Sequence, residues 1–191
     1  MSIQDRPALI LIDVQKGMDN HSYYGGNRNN PSAEENMKKL LKFWRQNNLP
    51  VLHIKHNSTN PESPLYKIKA GNEIKEIVSP LENEPVIEKT VNSAFIGTDL
   101  RKRLDFEAIT HLVIVGLTTD HCISSSVRMA GNFGFNTFLV SDATATFDKV
   151  GVDGKRYAAE MMHETALASL HNEFATVLTA NDVMGKLGAK N

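Results

Sequence analysis

Short, almost unbroken apolar runs recur along this chain, separated by stretches in which apolar residues return every three or four positions. The runs at 8–12, 51–54, 86–87, 112–115, 137–140 and 176–178 read as six strands. Several are nearly pure Val, Ile and Leu with no polar alternation, the pattern of parallel strands covered on both faces. Between the first two, Ser32 stands three residues before Glu35 in an N-cap arrangement, and Met37, Leu40, Leu41 and Trp44 follow at helical spacing. Further helices are predicted over 72–78, 98–104, 123–132, 155–171 and 181–186. Strands alternating with helices give an α/β fold class: three layers, α/β/α, around a six-stranded parallel Rossmann-like sheet. No repeat, linker or low-complexity tract interrupts it, so residues 1–191 are expected to form a single domain. The polar segment 19–30, DNHSYYGGNRNN, is long for a strand-to-helix connection. It is a candidate lid or subunit-contact loop, with a plain surface loop as the alternative.

Composition narrows the function classes. Of 191 residues, 41% are hydrophobic and 23% charged, enough to bury a sizeable core in one unit. The 21 Lys and Arg are scattered and nearly balanced by 22 Asp and Glu, which argues against a nucleic-acid or membrane-surface partner. No run reaches the roughly 18 apolar residues of a membrane span. The opening MSIQDRPALILID has no basic segment leading into a long apolar stretch. A cytoplasmic location is expected, and the single cysteine suits a reducing compartment.

In open α/β sheets, ligands bind beyond the carboxyl ends of the strands. Three reactive residues fall there: Asp13 after LILI, Lys89 after VIE, and Cys122 a short turn beyond LVIVGL. A lone cysteine is more often an inert core group than a nucleophile. Cys122, however, opens a predicted helix, where exposed N–H groups and the positive dipole end favour thiolate and can hold an oxyanion. Asp13 is costly to bury without a partner. Taken singly, Asp13 reads equally as a loop cap and Lys89 as a solvated strand end; only their convergence with Cys122 lifts them above that.

Asp13 in LILIDVQKGM, Lys89 in EKTVNSAF and Cys122 in VIVGLTTDHCISSSVRMAGNFGF together resemble the isochorismatase-like cysteine hydrolases. That family includes nicotinamidase, N-carbamoylsarcosine amidase and streptothricin hydrolase, and the resemblance runs from about residue 7 to about 180. It implies an Asp13–Lys89–Cys122 triad on a six-stranded parallel sheet, with the carboxylate taking the thiol proton. It also implies a cis peptide between Leu117 and Thr118, and an oxyanion hole from the backbone N–H groups of Thr118 and Cys122. Gln15, Ser93 and Phe95 become substrate-pocket candidates by the same resemblance, although Phe95 reads equally as core. His56 and Asn57, which end the second strand on the active edge, are further pocket candidates. Relatives commonly form homodimers or homotetramers, and the partner implied is a small-molecule substrate.

The departures from the family pattern set the reaction. Isochorismatases proper lack the nucleophilic cysteine, so its presence favours hydrolysis of a C–N amide-type bond over vinyl-ether cleavage. Nicotinamidases carry an Asp-x-His…His metal cluster after the second strand, whereas this chain has HIKHNSTNPESPLY. If His53 and His56, three apart, both lie on a regular strand, they point to opposite faces and cannot chelate one ion; His56 in the following loop instead is the alternative that leaves a metal site open. No metal and no other cofactor is expected. His121 beside the nucleophile is not a base, because adjacent residues entering a helix diverge. A nucleotide-binding domain would need a Gly-rich phosphate turn, and the sequence has none. Isochorismatase-type hydrolysis of a non-amide substrate, or a catalytically silent binding relative, stays open as an alternative.

Overall fold

A computed structural model of the chain describes residues 1–188. Six strands, β1 (Ala8–Ile12), β2 (Val51–His56), β3 (Val86–Lys89), β4 (His111–Leu117), β5 (Asn136–Ala145) and β8 (Thr176–Leu178), form one sheet in the order β3-β2-β1-β4-β5-β8. Every pairing in it is parallel. A small antiparallel hairpin, β6 (Lys149–Val150) with β7 (Arg156–Tyr157), follows β5.

Successive apolar residues of the central strands β1 and β4 feed two cores in alternation, as the pleat requires. Leu9, Leu11, Val113 and Val115 pack with Met37, Leu40, Leu41 and Trp44 of helix α2 (Ala33–Gln46) and with Val183 and Leu187 of α6 (Ala180–Gly188). Ala8, Ile10, Ile12, Leu112 and Ile114 pack on the other face. Their partners are Leu100 and Leu104 of α3 (Leu100–Phe106), Val127 and Ala130 of α4 (Ser124–Asn132), and Leu170 of α5 (Ala159–Leu170). Trp44 is fully buried, and its ring N–H donates to the Pro7 carbonyl at 2.9 Å. No helix among the described residues is long and apolar enough to cross a membrane.

Four expectations need correction. The helix predicted over 72–78 is two 3-10 turns, Ala70–Asn72 and Glu76–Val78. The backbone between them is drawn out to bridge Gln15 with Ile74, the Lys16 N–H donating to Glu73 O and the Lys75 N–H to Val14 O. The helix predicted over 155–171 starts only at Ala159, because 149–157 folds as the hairpin and Asp148 accepts from the Ala159 N–H. Ser32 occupies the N-cap of α2 but its side chain makes no capping bond. Glu34, rather than Glu35, is drawn into structure there, gripped by Arg28 and Lys75.

Segment 19–30 is well anchored rather than loose. It contains the one-turn helix α1 (His21–Tyr24), whose Tyr24 ring stacks on Phe147. Asn29 Oδ1 accepts from the Thr146 N–H, and Asn30 Nδ2 donates to the carbonyls of Ser141 and Thr144.

Candidate active site

The strand register lines up the carboxyl ends of β3, β2, β1 and β4 side by side. Lys89 ends β3 and pairs in register with His56, which ends β2. Asp13 follows β1 directly with a left-handed backbone, φ 55°, and its N–H donates to Ile54 O. A non-glycine residue in that region carries strain, and such strain concentrates at functional sites. At the end of β4, Gly116 has φ 127°, and a Cβ there would overlap the Ile12 carbonyl oxygen. Glycine therefore lets β4 approach β1 where the site begins. The Leu117–Thr118 peptide that follows is cis. One wide turn of π-helix, Thr119–Ile123, then carries Cys122 before α4 begins.

These elements bring Asp13, Lys89 and Cys122 together. The Lys89 ammonium is fully buried; it donates to Asp13 Oδ2 at 2.7 Å and to Cys122 Sγ at 3.3 Å. It also meets His56 Nδ1 at 3.0 Å and Val91 O at 3.2 Å, four acceptors for three protons. Asp13 Oδ1, by contrast, is buried with no partner. The carboxylate, His56 and the thiol all lie within 4.8 Å of one another. One carboxylate oxygen thus holds the ammonium while the other is open to a proton from sulfur.

The electrostatics run against one expectation. Burial pushes the Cys122 thiol up, and the Asp13 carboxylate adds to that; Lys89 opposes both without prevailing. This direction is opposite to the thiolate expected from the start of a helix, because desolvation acts against the charged form. Burial, with the Lys89 charge, lowers His56, so its ring is neutral and Nδ1 accepts from Lys89.

The remaining candidates fall into different places. Gln15 has no exposed surface and its amide is spent on backbone, accepting from the His56 N–H and donating to His56 O and Asn72 O. Asn57 is likewise tied up, donating to Glu88 Oε2 and accepting from Asn72. Both hold the end of β2 in place, and neither offers a free group to a ligand. Ser93 donates to Met129 Sδ at 2.8 Å, and Phe95 packs in the core against Phe133 and Phe135. Of the proposed oxyanion pair, Thr118 is 4% exposed and its hydroxyl has no partner. His53 bonds Glu84 at 3.1 Å, away from His56, and His121 faces Asp120.

Asp13, His56 and Cys122 would otherwise make a three-ligand cluster, but the Lys89 ammonium bonds all three. A cation is thus already in place there, and a metal would have to displace it. A cavity of about 400 Å³ opens at the opposite edge of the sheet, beside Arg45, Pro50, Glu84 and Pro85, and touches none of these groups. Convergent chemistry, not volume, marks the site.

Two groups near Cys122 carried no signal in the sequence. Asn92 Oδ1 lies 3.8 Å from Cys122 Sγ. The Tyr24 hydroxyl is buried without a partner, and its phenol is held up by burial, with Tyr23 and the Asp13 carboxylate adding to it. Tyr24 ends the one-turn helix α1 and Asn92 lies just after β3, and the fold brings both in from far along the chain.

A parallel α/β sheet with a buried Asp–Lys pair and a cysteine at its carboxyl edge defines a hydrolase-type site of the isochorismatase-like kind. Residues 7–182 match the Isochorismatase domain, and the chain belongs to that family. It is similar to the isochorismatase family protein YrdC of Bacillus subtilis, at 46% identity over 95% of this chain and 96% of that one. It is also similar to a crystal structure of an isochorismatase-family protein from Chromobacterium violaceum. That match has a TM-score of 0.92 and 40% identity, over 96% of this chain and 94% of that one. Among more distant relatives is the maleamate amidohydrolase of Pseudomonas putida, 27% identical over 95% of this chain and 87% of that one. The family is hydrolytic and has amidohydrolases among its members.

Proposed function

We propose that this protein is a cysteine hydrolase that cleaves a C–N amide-type bond of a small molecule through a thioester. The observation that carries the reading is the Lys89 ammonium bonded to both Asp13 and Cys122 while Asp13 Oδ1 stays unpartnered. As sulfur attacks the carbonyl carbon, its proton passes to Asp13, and the S–C bond forms. Asp13 then protonates the leaving nitrogen as the C–N bond breaks, leaving the acyl group on Cys122. Water attacks the thioester, gives its proton to Asp13, and the thiol is restored as the acid departs. The backbone N–H groups of Thr118 and Cys122 are the proposed oxyanion donors. Tyr24 and Asn92 are the proposed polar contacts to the substrate. No metal takes part, and a cytoplasmic homodimer or homotetramer completes the reading.

The test is a panel of small amides, lactams, ureas and carbamoyl compounds, assayed for ammonia or amine release, with mass spectrometry of acid-quenched protein. Release that Cys122→Ala abolishes, with an acyl adduct on Cys122, supports the reading. Release undiminished in Cys122→Ala overturns it.

A further inference from the structure

We infer that His163, as a neutral ring, is a positioning residue that locks the nucleophile turn to segment 27–30. This rests on Cys122 as nucleophile. His163 lies on α5, 41 positions beyond Cys122, and is 6% exposed. Its Nδ1 meets the hydroxyl of Thr119, the fully buried first residue of the nucleophile turn, at 2.8 Å. On the other side its Nε2 meets Asn30 Nδ2 at 3.3 Å. The Asn30 amide is oriented by the Ser141 and Thr144 carbonyls, at 3.0 and 2.8 Å, which only its nitrogen can bond. The Thr119 hydroxyl can donate or accept, and the Ser141 carbonyl can take a ring N–H, so a neutral His163 of either tautomer joins the turn to the Asn30 side.

A second link runs in parallel. Asp120, the next residue of the turn, accepts from the Thr146 hydroxyl, and the Thr146 N–H donates to Asn29 Oδ1 at 2.7 Å. Arg28 bridges Phe147, and the Asp148 N–H donates to Asn27 O. Both sides of the turn thus end on segment 27–30, which the chemistry of the triad leaves unused. Buried networks of this kind fix geometry when every member is satisfied. Burial lowers the His163 pKa. Against it stand Glu160 and Glu164 on its own helix, Asp120 on the turn and the Ser141 carbonyl on β5, all favouring the cation.

What the lock maintains is the burial of Cys122, the largest cause of its raised thiol. Loosening the turn lets water reach sulfur and brings the thiol down, so Cys122 alkylates faster. Each pH unit of that fall is about tenfold in thiolate near neutral pH.

The experiment has two arms, and neither requires turnover, so its failure is distinguishable from that of the proposed reaction. Long-range ¹⁵N–¹H NMR of the intact protein is expected to show a neutral His163 ring, protonated on one nitrogen only, at pH 8. A ring protonated on both nitrogens overturns the proposal. In the second arm, iodoacetamide labelling of Cys122 is followed against pH. Thr119→Val and His163→Leu each raise the rate at pH 8 about tenfold, and the double variant raises it no further, because both cut one chain of contacts. His163→Asn, whose amide nitrogen falls near Nδ1, returns the profile toward the wild type. Profiles that overlay the wild type, with only a lower melting temperature, reduce His163 to a core residue and refute the proposal. If His163→Leu does not fold, Thr119→Val and His163→Asn decide the matter.

Discussion

Asp13→Asn separates nucleophile reactivity from turnover. Asp13 and Cys122 present atoms no more than 4.8 Å apart, with no exposed Asp13 surface. At an effective dielectric of about 20, a carboxylate at that distance disfavours the thiolate by about 3 kcal/mol, or roughly two pKa units. The introduced amide keeps an oxygen for Lys89 but removes the charge, so Lys89 is left to pair with sulfur. The thiol pKa falls, and alkylation by iodoacetamide at pH 8 rises by about one to two orders of magnitude. Turnover falls by orders of magnitude in the same variant, because no group remains to carry the proton from sulfur to the leaving nitrogen. The assay is timed labelling across pH 6–10 read by mass spectrometry, with circular dichroism to confirm the fold. A folded Asp13→Asn protein that labels no faster than wild type would show that Asp13 does not govern the thiol. The assignment of base to Asp13 would then be withdrawn.

The other predictions are independent of one another. Lys89→Ala abolishes turnover and, by leaving Asp13 buried and unpaired, lowers unfolding free energy by about 3–5 kcal/mol in urea titrations; a loss under 1 kcal/mol contradicts a buried pair. Once a substrate is found, turnover survives exhaustive EDTA or phenanthroline treatment; inactivation reversed by zinc, iron or manganese contradicts the role given to Lys89. Gly116→Ala must adopt φ 127° and overlap Ile12 O, so it costs more than about 3 kcal/mol in the same titrations or fails to accumulate folded. Burial pushes Glu34 up, but Arg28 and Lys75 outweigh it and bring its carboxyl from 4.5 to about 2. The contribution, of order 3 kcal/mol, is present above pH 4.5 and lost as pH falls toward 2. Glu34→Gln therefore flattens stability against pH across that window, and an unchanged slope contradicts it.

Much of this was legible in the chain, for physical reasons that also mark where legibility stops. The central strands are buried on both faces, so their composition announced them; β8 and the starts of β1 and β2 fall where the apolar runs place them. The extension of β5 to Ala145 was not visible, since Ser141, Asp142 and Thr144 are polar, and their backbone is held by Asn30 and Asn36 from far away. In 72–78, Ile74, Ile77 and Val78 mimic helical spacing, yet pairing with the chain around Gln15 draws the segment out. Strand-end position marked Asp13, Lys89 and Cys122 together. Side-chain direction did not follow from it: Gln15 and Asn57 lie close by in sequence but spend their amides on the end of β2, on Glu88 of β3 and on Asn72. The start of a helix, which favours a thiolate, is a local feature, while the burial and the Asp13 carboxylate that push the Cys122 thiol up arrive through the fold.

That difference bears on the chemistry. With the Cys122 thiol pushed up, the proposed reaction starts from one carboxylate, one ammonium and a thiol, hence one negative charge against one positive. A preformed thiolate would place two anions within 4.8 Å around a single buried cation, which the raised thiol opposes. In the proposed reaction the count never changes: as the sulfur proton reaches Asp13, the negative charge moves to the substrate oxygen, and Lys89 still faces one anion's worth of charge. Attack is then coupled to proton transfer, and Asp13 becomes an acid at the moment when a nitrogen leaving group needs one. A vinyl ether needs its proton delivered to carbon and has no use for the sulfur. A buried thiol beside an unpartnered carboxylate oxygen therefore suits an amide better than an enol ether.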